Sequence, residues 1–409
     1  MNAKELGSKK LDNIISDENP NIENAYRITE RLAFPRLIGT EGERKASEIV
    51  VDEFKKAGYN AISRDKFKTS FYKWIIVRLI FVFTGSVLVL LALSTYINLY
   101  LTLVLSILAI YISYKALGIS VSSKIKLFKN EANNYETENI FTRLKSSNSC
   151  ATVVFMGHWD SKSQSFSSLT RIIIFLISVF GSLILMITYL IFSLLMLIFN
   201  IYIPILNNIL LDASITIAII GAVNYFNKTG NNSPGAYDNA AAVGVLVELA
   251  RYYKLNQIDN IDLLFLSTSS EELNLGGAIH FIKKFEKEFD KNSTYFINLD
   301  LIGGNELIRL ITSYGIPRKV SSKKLNNLFV DSSEQLRIKL KDVYAPTGAW
   351  SDYMPIVNEG FEACWLGSQP GLKFVHTKND TMDLVSKEGL KNILLLCIDV
   401  VKKLDKEYE

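Results

Sequence analysis

The residues able to do chemistry in this chain collect where apolar runs end. The stretch "DLLFLSTSSEELNLGG" closes a bulky apolar run in small polar residues and sets Glu271 beside Glu272. "GHWD" puts His158 and Asp160 just past another such run, and "GAYDN" puts Asp238 at the start of a helical pattern. "NLDLIG" adds Asp300, and "FVHTKNDTMD" supplies His376. The chain holds three histidines, and two of them fall in this set. Imidazole and carboxylate donors in this mixture suit zinc, and a carboxylate can bridge two ions. Taken singly, each has a plainer reading: a hydrogen-bonded structural histidine, Asp238 as a helix N-cap, Asp300 as a turn residue, and the glutamates as a solvated loop. Their joint occurrence, in order and each at the end of an apolar segment, argues for one site.

The elements that must carry them alternate. "CATVVFMGHWD", "IDLLFLST", "TYFINLDLIG", "LIRLITS" and "EACWLG" read as strands. "KASEIVVDEFKKAG", ending at Gly58, and "YDNAAAVGVLVELARYY" read as helices, as do 276–288, 318–332 and an amphipathic closing helix over 387–404. This alternation predicts an α/β fold, a mixed, mostly parallel sheet flanked by helices. In such sheets sites form beyond the carboxyl ends of strands.

Two apolar blocks interrupt that pattern. A mean hydropathy of +0.18 with 49% hydrophobic residues is high for a soluble enzyme, and the excess lies in 73–117 and 172–226. Each block holds two segments long enough to cross a hydrocarbon core, which needs roughly 20 apolar residues, so each reads as an inserted transmembrane hairpin. Core helices of a soluble protein rarely sustain such runs without a polar face. The remaining pieces, 1–72, 118–171 and 227–409, are then parts of one domain. The fourth segment is the weakest because it contains Asp212, a costly group against lipid, expected to face protein or the far interface.

The loops 94–100 and 200–208 hold no Lys or Arg. On the other side of the apolar segments stand Lys66, Lys68, Lys73, Arg78, Lys115, Lys124, Lys126, Lys129, Lys162, Arg171 and Lys228. The positive-inside rule therefore predicts a multi-pass protein of the cell membrane with its larger domain in the cytoplasm. The polar start "MNAKELGSKKLDNIISDENPN" carries no apolar signal-peptide region. Cys150, Cys364 and Cys397 are too few and scattered for a disulfide framework or a thiolate metal site. A net charge of +4 without a basic, aromatic-interleaved stripe excludes a nucleic-acid partner.

The motifs "GHWDS", "PGAYDNAAAVGVLVELAR", "STSSEELNLGGAIHF", "FINLDLIG", "SDYMPI" and "HTKNDTMD" resemble, in order, those of metallopeptidase family 28, the co-catalytic zinc peptidases that include leucyl aminopeptidases, glutamate carboxypeptidases and glutaminyl cyclases. The resemblance covers the non-membrane part from Arg31 onward. It implies two zinc ions per chain, one held by His158, Asp238 and Asp300 and the other by Asp238, Glu272 and His376, with Asp238 bridging. It further implies that Asp160 orients His158 and that Glu271 is the general base. Two residues of one zinc site, His158 and Asp238, then flank the second apolar block, so the chain between them crosses the membrane an even number of times or not at all.

The implied activity is that of a membrane-embedded exopeptidase, an aminopeptidase acting on peptides near the cytoplasmic membrane face, with the lipid bilayer and the peptide as its partners. Glutaminyl-cyclase or carboxypeptidase chemistry, and a non-catalytic scaffold, are the alternatives. The chain departs from the family where Ser351, Asp352 and Tyr353 stand for the more common Ser-Asp-His, and where a frequent Gly is replaced within "DNAAAVG". These departures bear on substrate preference. His280 lies outside the motifs and reads as structural. No sequence feature selects an amino over a carboxyl terminus, a side chain, or an oligomeric state.

Overall fold

The segment Ala151–His158 is buried along nearly its whole length, at odd and even positions alike, which requires an interior strand covered on both faces. The computed structural model describes residues 19–70, 72–120, 135–304, 307–315, 317–346, 350–368 and 373–409, with the side chains of 72–77 and 116–120 left aside. The polar start and the cations Lys124, Lys126 and Lys129 lie outside the described residues.

In chain order the elements are α1 (Ile22–Leu32), α2 (Glu41–Lys56), β1 (Ser63–Thr69), α3 (Tyr72–Ser94), α4 (Leu99–Ser120), β2 (Tyr135–Leu144), β3 (Ala151–His158), α5 (Ser168–Phe199) and α6 (Pro204–Val223). They continue with α7 (Ala241–Leu255), β4 (Ile261–Thr268), α8 (Gly276–Phe285), β5 (Thr294–Leu299), β6 (Ile308–Tyr314), α9 (Lys323–Gln335), β7 (Leu340–Ala345), α10 (Tyr353–Asn358), β8 (Glu362–Ser368) and α11 (Lys387–Glu407). The chain divides into two compact units. One holds α3 to α6, and the other holds all remaining elements.

The larger unit is built on a nine-stranded sheet in the order β1-β2-β4-β3-β5-β8-β6-β7, with the short strand Lys319–Val320 beside β6. The central strands β4, β3, β5 and β8 run parallel, β1 pairs antiparallel to β2, β2 to β4 and β6 to β8, and β7 runs parallel to β6. The sheet is mixed and flanked by helices, as expected. One apolar core takes side chains from α1, α2, α7, α9, α11 and the central strands, and Val154, Met156, Leu264, Leu266, Phe281 and Phe296 are buried outside it.

The edge strands β1 and β7 and the long β2 escaped the sequence reading. In β1, "SRDKFKT", charged side chains alternate with buried ones, so only its inward positions carry a strand signal. Helix α9 starts at Lys323, capped by Ser322, because the chain just before it pairs with β6. Helix α7 starts at Ala241 rather than Tyr237: Asp238 is extended (φ −121°, ψ 84°) within an irregular turn over Ala236–Ala240 and is not a helix N-cap.

The smaller unit is a four-helix bundle with an inverted distribution of polarity. Hydroxyl-bearing residues Thr102, Ser106, Ser193 and Ser214 are fully buried, whereas Ile97, Ile184 and Ile205 are exposed. Inside, the Tyr189 hydroxyl donates to the Leu210 carbonyl at 2.8 Å and lies 2.8 Å from Ser214 Oγ. Gly85 lies so close to Ala218 that a Cβ there would come within 2.9 Å of its Cα. Two helices, Ser168–Phe199 and Pro204–Phe226, are long and apolar enough to cross a membrane. The described apolar stretches of α3 and α4, Arg78–Ser94 and Leu99–Lys115, are shorter. Asp212 is exposed on α6 and does not turn toward the protein interior, because α6 buries Asn207, Leu210, Ser214 and Gly221 instead.

Candidate metal centre

Parallel central strands deliver their carboxyl ends to one edge of the sheet. His158 is the last residue of β3 and Asp160 follows it; Glu271 and Glu272 follow β4; Asp300 follows β5; His376 comes after β8, and Asp238 comes from the irregular turn before α7. Backbone strain marks these loops. Ser270 (φ 59°), Leu301 (φ 56°) and His376 (φ 62°) are left-handed without being glycine, a conformation that costs roughly 1–2 kcal/mol each. Each sits in or beside a position that presents a donor.

The side chains converge in two clusters. His158 Nε2 lies 3.2 Å from Asp238 Oδ1, 3.6 Å from Asp300 Oδ1 and 3.9 Å from Glu271 Oε2. His376 Nε2 lies 3.1 Å from Asp238 Oδ2 and 3.0 Å from Glu272 Oε2. Asp238 therefore offers one oxygen to each histidine. His158, Glu271 and Asp300 form one group of donor atoms within 4.8 Å of one another, and Asp238, Glu272 and His376 form a second. Glu271 and Glu272, adjacent in sequence, thus face different clusters.

The surroundings fix these atoms. Asp300 Oδ2 accepts from Ser351 Oγ at 2.5 Å and Trp365 Nε1 at 3.3 Å, which leaves Oδ1 turned to His158. The Asp160 carboxylate accepts the backbone N–H groups of Glu271 and Glu272 at 3.3 and 3.2 Å. It also stands 3.5 Å from His158 Nδ1, whose own hydrogen-bond partner is the Asp160 carbonyl at 3.2 Å.

The site concentrates negative charge out of water. Asp160, Asp238, Glu271, Glu272, Asp300, Asp352 and Asp380 are all buried. Burial raises Glu271 well above the carboxylate range against the pull of His158, and lifts Asp352 to about 7 and Asp380 to about 8. Burial also penalises Glu272, but His376 and Lys162 outweigh it and hold that carboxylate at about 2. For His158 the surrounding carboxylates, Glu271 first, outweigh burial and raise it well above its ordinary value. Charge of this density calls for a cation. His158 Nε2 is buried, faces three carboxylates and hydrogen-bonds to none of them, as a ligand nitrogen aimed at an ion would. Nitrogen and carboxylate oxygen donors in this number fit zinc.

Three residues that the sequence reading passed over complete the arrangement. Arg36, fully buried, donates to the carbonyls of Leu32, Phe34, Trp159, Pro234 and Gly235, and so ties the loop after His158 to the loop before Asp238. Asp380 accepts the N–H groups of Tyr237 and Asp238 at 2.7 and 3.2 Å, and a cis peptide joins Asp238 to Asn239. Lys162, read above as one of the cations flanking the apolar segments, is instead buried, with Nζ 2.8 Å from Glu272 Oε2. Arg36 and Lys162 carried no signal because a lone basic residue between secondary-structure elements is usually a solvated one. His280 pairs with Asp65 at 3.0 Å and stacks on Phe67, away from both clusters.

Comparison with known proteins points to peptidases. The family model described as Peptidase family M28 matches residues 220–401, a stretch that contains Asp238, Glu271, Glu272, Asp300 and His376. Over that stretch, somewhat under half of the chain, the protein resembles peptidase family M28. His158 and Asp160 precede the matched stretch and are brought to the other donors by their distances to Asp238 and to the glutamates. Aminopeptidase YwaD of Bacillus subtilis (strain 168) is 28% identical over 172 residues, which are 39% of this chain and 35% of that protein. The match thus spans about a third of the curated relative. Among solved structures, BSAP, a zinc aminopeptidase from Bacillus subtilis, superposes with a TM-score of 0.52 at 14% identity over 95% of this chain and 96% of its own. An Acidobacteriales bacterium glutaminyl cyclase does so with a TM-score of 0.54 at 13% identity over 95% and 96%. At these identities the likeness is one of fold.

Proposed function

We propose that this protein is a membrane-embedded, zinc-dependent exopeptidase, an aminopeptidase that hydrolyses peptides near the cytoplasmic membrane face. The observation that carries the reading is the pair of donor clusters joined through Asp238, with Glu271 beside them. In this reading His158, Asp238 and Asp300 hold one zinc ion and Asp238, Glu272 and His376 hold a second. Bound zinc supplies an acidified water and a Lewis acid for the scissile carbonyl.

The chain's own groups do the rest. Glu271 takes a proton from the attacking water and returns it to the leaving amine nitrogen. Asp160 keeps Glu271 and Glu272 pointed to different clusters by accepting both of their N–H groups. Ser351 and Trp365 occupy one oxygen of Asp300 and so fix which oxygen faces His158. Burial of every one of these carboxylates strengthens the electrostatics of the site and keeps stray water out.

The inverted polarity of the helical unit supports the membrane assignment, because a bundle with serines and threonines inside and isoleucines outside is stable in hydrocarbon and not in water. The lysine- and arginine-free loops between α3 and α4 and between α5 and α6 support placing the catalytic unit in the cytoplasm. His158 and the start of α5 lie on one short stretch of chain, which favours substrates presented at that leaflet, such as leader or signal-peptide remnants.

The test is metal content and cleavage by the detergent-purified protein, with Glu271→Gln as control. The reading expects near two zinc ions per chain and cleavage that needs a free amino terminus and is lost in the variant. Zinc binding with cyclisation of amino-terminal glutamine and no cleavage would move the assignment to a cyclase, and a metal-free inactive protein would leave a scaffold.

A further inference from the structure

Lys162 stands where a peptidase of this design has no evident need for a cation. It follows Asp160 in "HWDSK", is only 4% exposed, and places Nζ 2.8 Å from Glu272 Oε2 and 3.0 Å from the Glu272 carbonyl. That same Oε2 is the oxygen lying 3.0 Å from His376 Nε2. An ammonium group is a donor only and cannot ligate a metal, so it competes with an ion for this oxygen. A buried ammonium is also expensive, which makes its presence at the end of a ligand side chain more than incidental.

The other cluster is surrounded differently. The groups nearest His158 and Asp300 are the carboxylates of Asp160, Asp238 and Glu271, together with neutral donors from Ser351 and Trp365. A dication at the His158 cluster meets carboxylates whose donors named above are backbone N–H groups, Ser351 and Trp365, with no ammonium or guanidinium among them, the buried Arg36 acting on Asp160 and Asp238 only through the field. One at the His376 cluster meets a carboxylate already paired with a fixed positive charge and is repelled by that charge across a few ångströms of low dielectric.

We infer that Lys162 is an internal counter-ion to Glu272 that makes the Asp238–Glu272–His376 site the weaker and exchangeable of two zinc sites. This rests on the zinc reading above and adds to it an order of loading: the His158 site fills first and the His376 site responds to free zinc. When the second ion leaves, the ammonium keeps the buried Glu272 carboxylate compensated, so the unit stays folded in the one-zinc form.

The experiment is a zinc titration of the full-length, detergent-purified protein in chelator-buffered zinc, comparing wild type with Lys162→Met and Lys162→Arg. Two steps are expected for wild type. In Lys162→Met the weaker step tightens by at least about tenfold while the tighter step stays in place. Lys162→Arg keeps the charge and behaves as wild type. In thermal melts the zinc-free Lys162→Met protein unfolds at a lower temperature than zinc-free wild type, and zinc closes the gap. Should the zinc-free variant fail to fold, the zinc-loaded Lys162→Gln protein is challenged with excess chelator, and its faster-leaving ion departs more slowly than that of wild type. A weaker step that is unchanged or loosened in Lys162→Met, or a faster-leaving ion that is not slowed in Lys162→Gln, overturns the inference alone. A wild type that takes up no zinc overturns the zinc reading and this one with it.

Discussion

The Asp160 carboxylate accepts the backbone N–H of Glu272 at 3.2 Å through one oxygen, and its other oxygen accepts the N–H of Glu271 at 3.3 Å. One side chain from the loop after β3 thus sets the main chain of the loop after β4. Replacing it with alanine removes both acceptors and frees the two glutamates to drift. Asp160→Ala is expected to lower zinc affinity by about 10–100-fold and turnover with it, measured by competition with a chromophoric chelator. Unchanged affinity would mean that the glutamates are held by other means.

The two glutamates should separate in function. Glu271→Gln is expected to keep its zinc and lose turnover by about 10²–10⁴-fold. Glu272→Gln is expected to lose an ion. Elemental analysis beside single-turnover assays distinguishes the two, and a Glu271→Gln protein depleted of zinc would assign Glu271 to the metal instead.

Arg36 has no contact that chemistry requires, yet it joins the loops on either side of the inserted helices α5 and α6 through the carbonyls of Trp159, Pro234 and Gly235. Arg36→Leu strands buried carbonyls at about 1–3 kcal/mol each. A large drop in melting temperature is expected, with residual zinc affinity falling in step. A variant as stable as wild type would show that water or a shifted loop replaces the guanidinium.

Gly235 is left-handed (φ 58°), and a Cβ there would meet the Asp238 carbonyl oxygen and Ser161 Cβ, both at 2.6 Å. Gly235→Ala combines that overlap with a conformational cost of roughly 1–2 kcal/mol. Because the displaced atom belongs to Asp238, zinc binding is expected to suffer more than overall stability, which a titration and a melt on the same sample would compare.

The proposed membrane embedding makes opposite demands on the two surfaces of the helical unit. Ile184→Lys places a charge on the outer face of α5, where insertion scales put it at about +2.5 to +3.5 kcal/mol near the bilayer centre, and is expected to lower the membrane-bound yield. Ser214→Leu overfills an interior contact at Tyr189 and is expected to destabilise the bundle in detergent. In water-soluble helices Ile184→Lys would instead improve solubility.

The sequence alone determined the central strands, because β3, β4, β5 and β8 are continuous apolar runs whose period and length leave little choice. It also determined that polar residues of metal-binding type follow them, since residue identity after a strand is legible without a fold. The edge strand β1 stayed hidden because only alternate positions are buried, and β7 because none of its side chains is fully buried. Tertiary structure decided that Asp238 is extended within a kinked turn, because its neighbours Asp380 and Arg36 come from loops far along the chain. It decided too that Glu271 and Glu272 face separate clusters, through an Asp160 that a local pattern cannot aim. Lys162 shows the limit most plainly. Its type predicted a solvated cation, and only the meeting of two loops beyond neighbouring parallel strands turned it into the partner of a buried carboxylate.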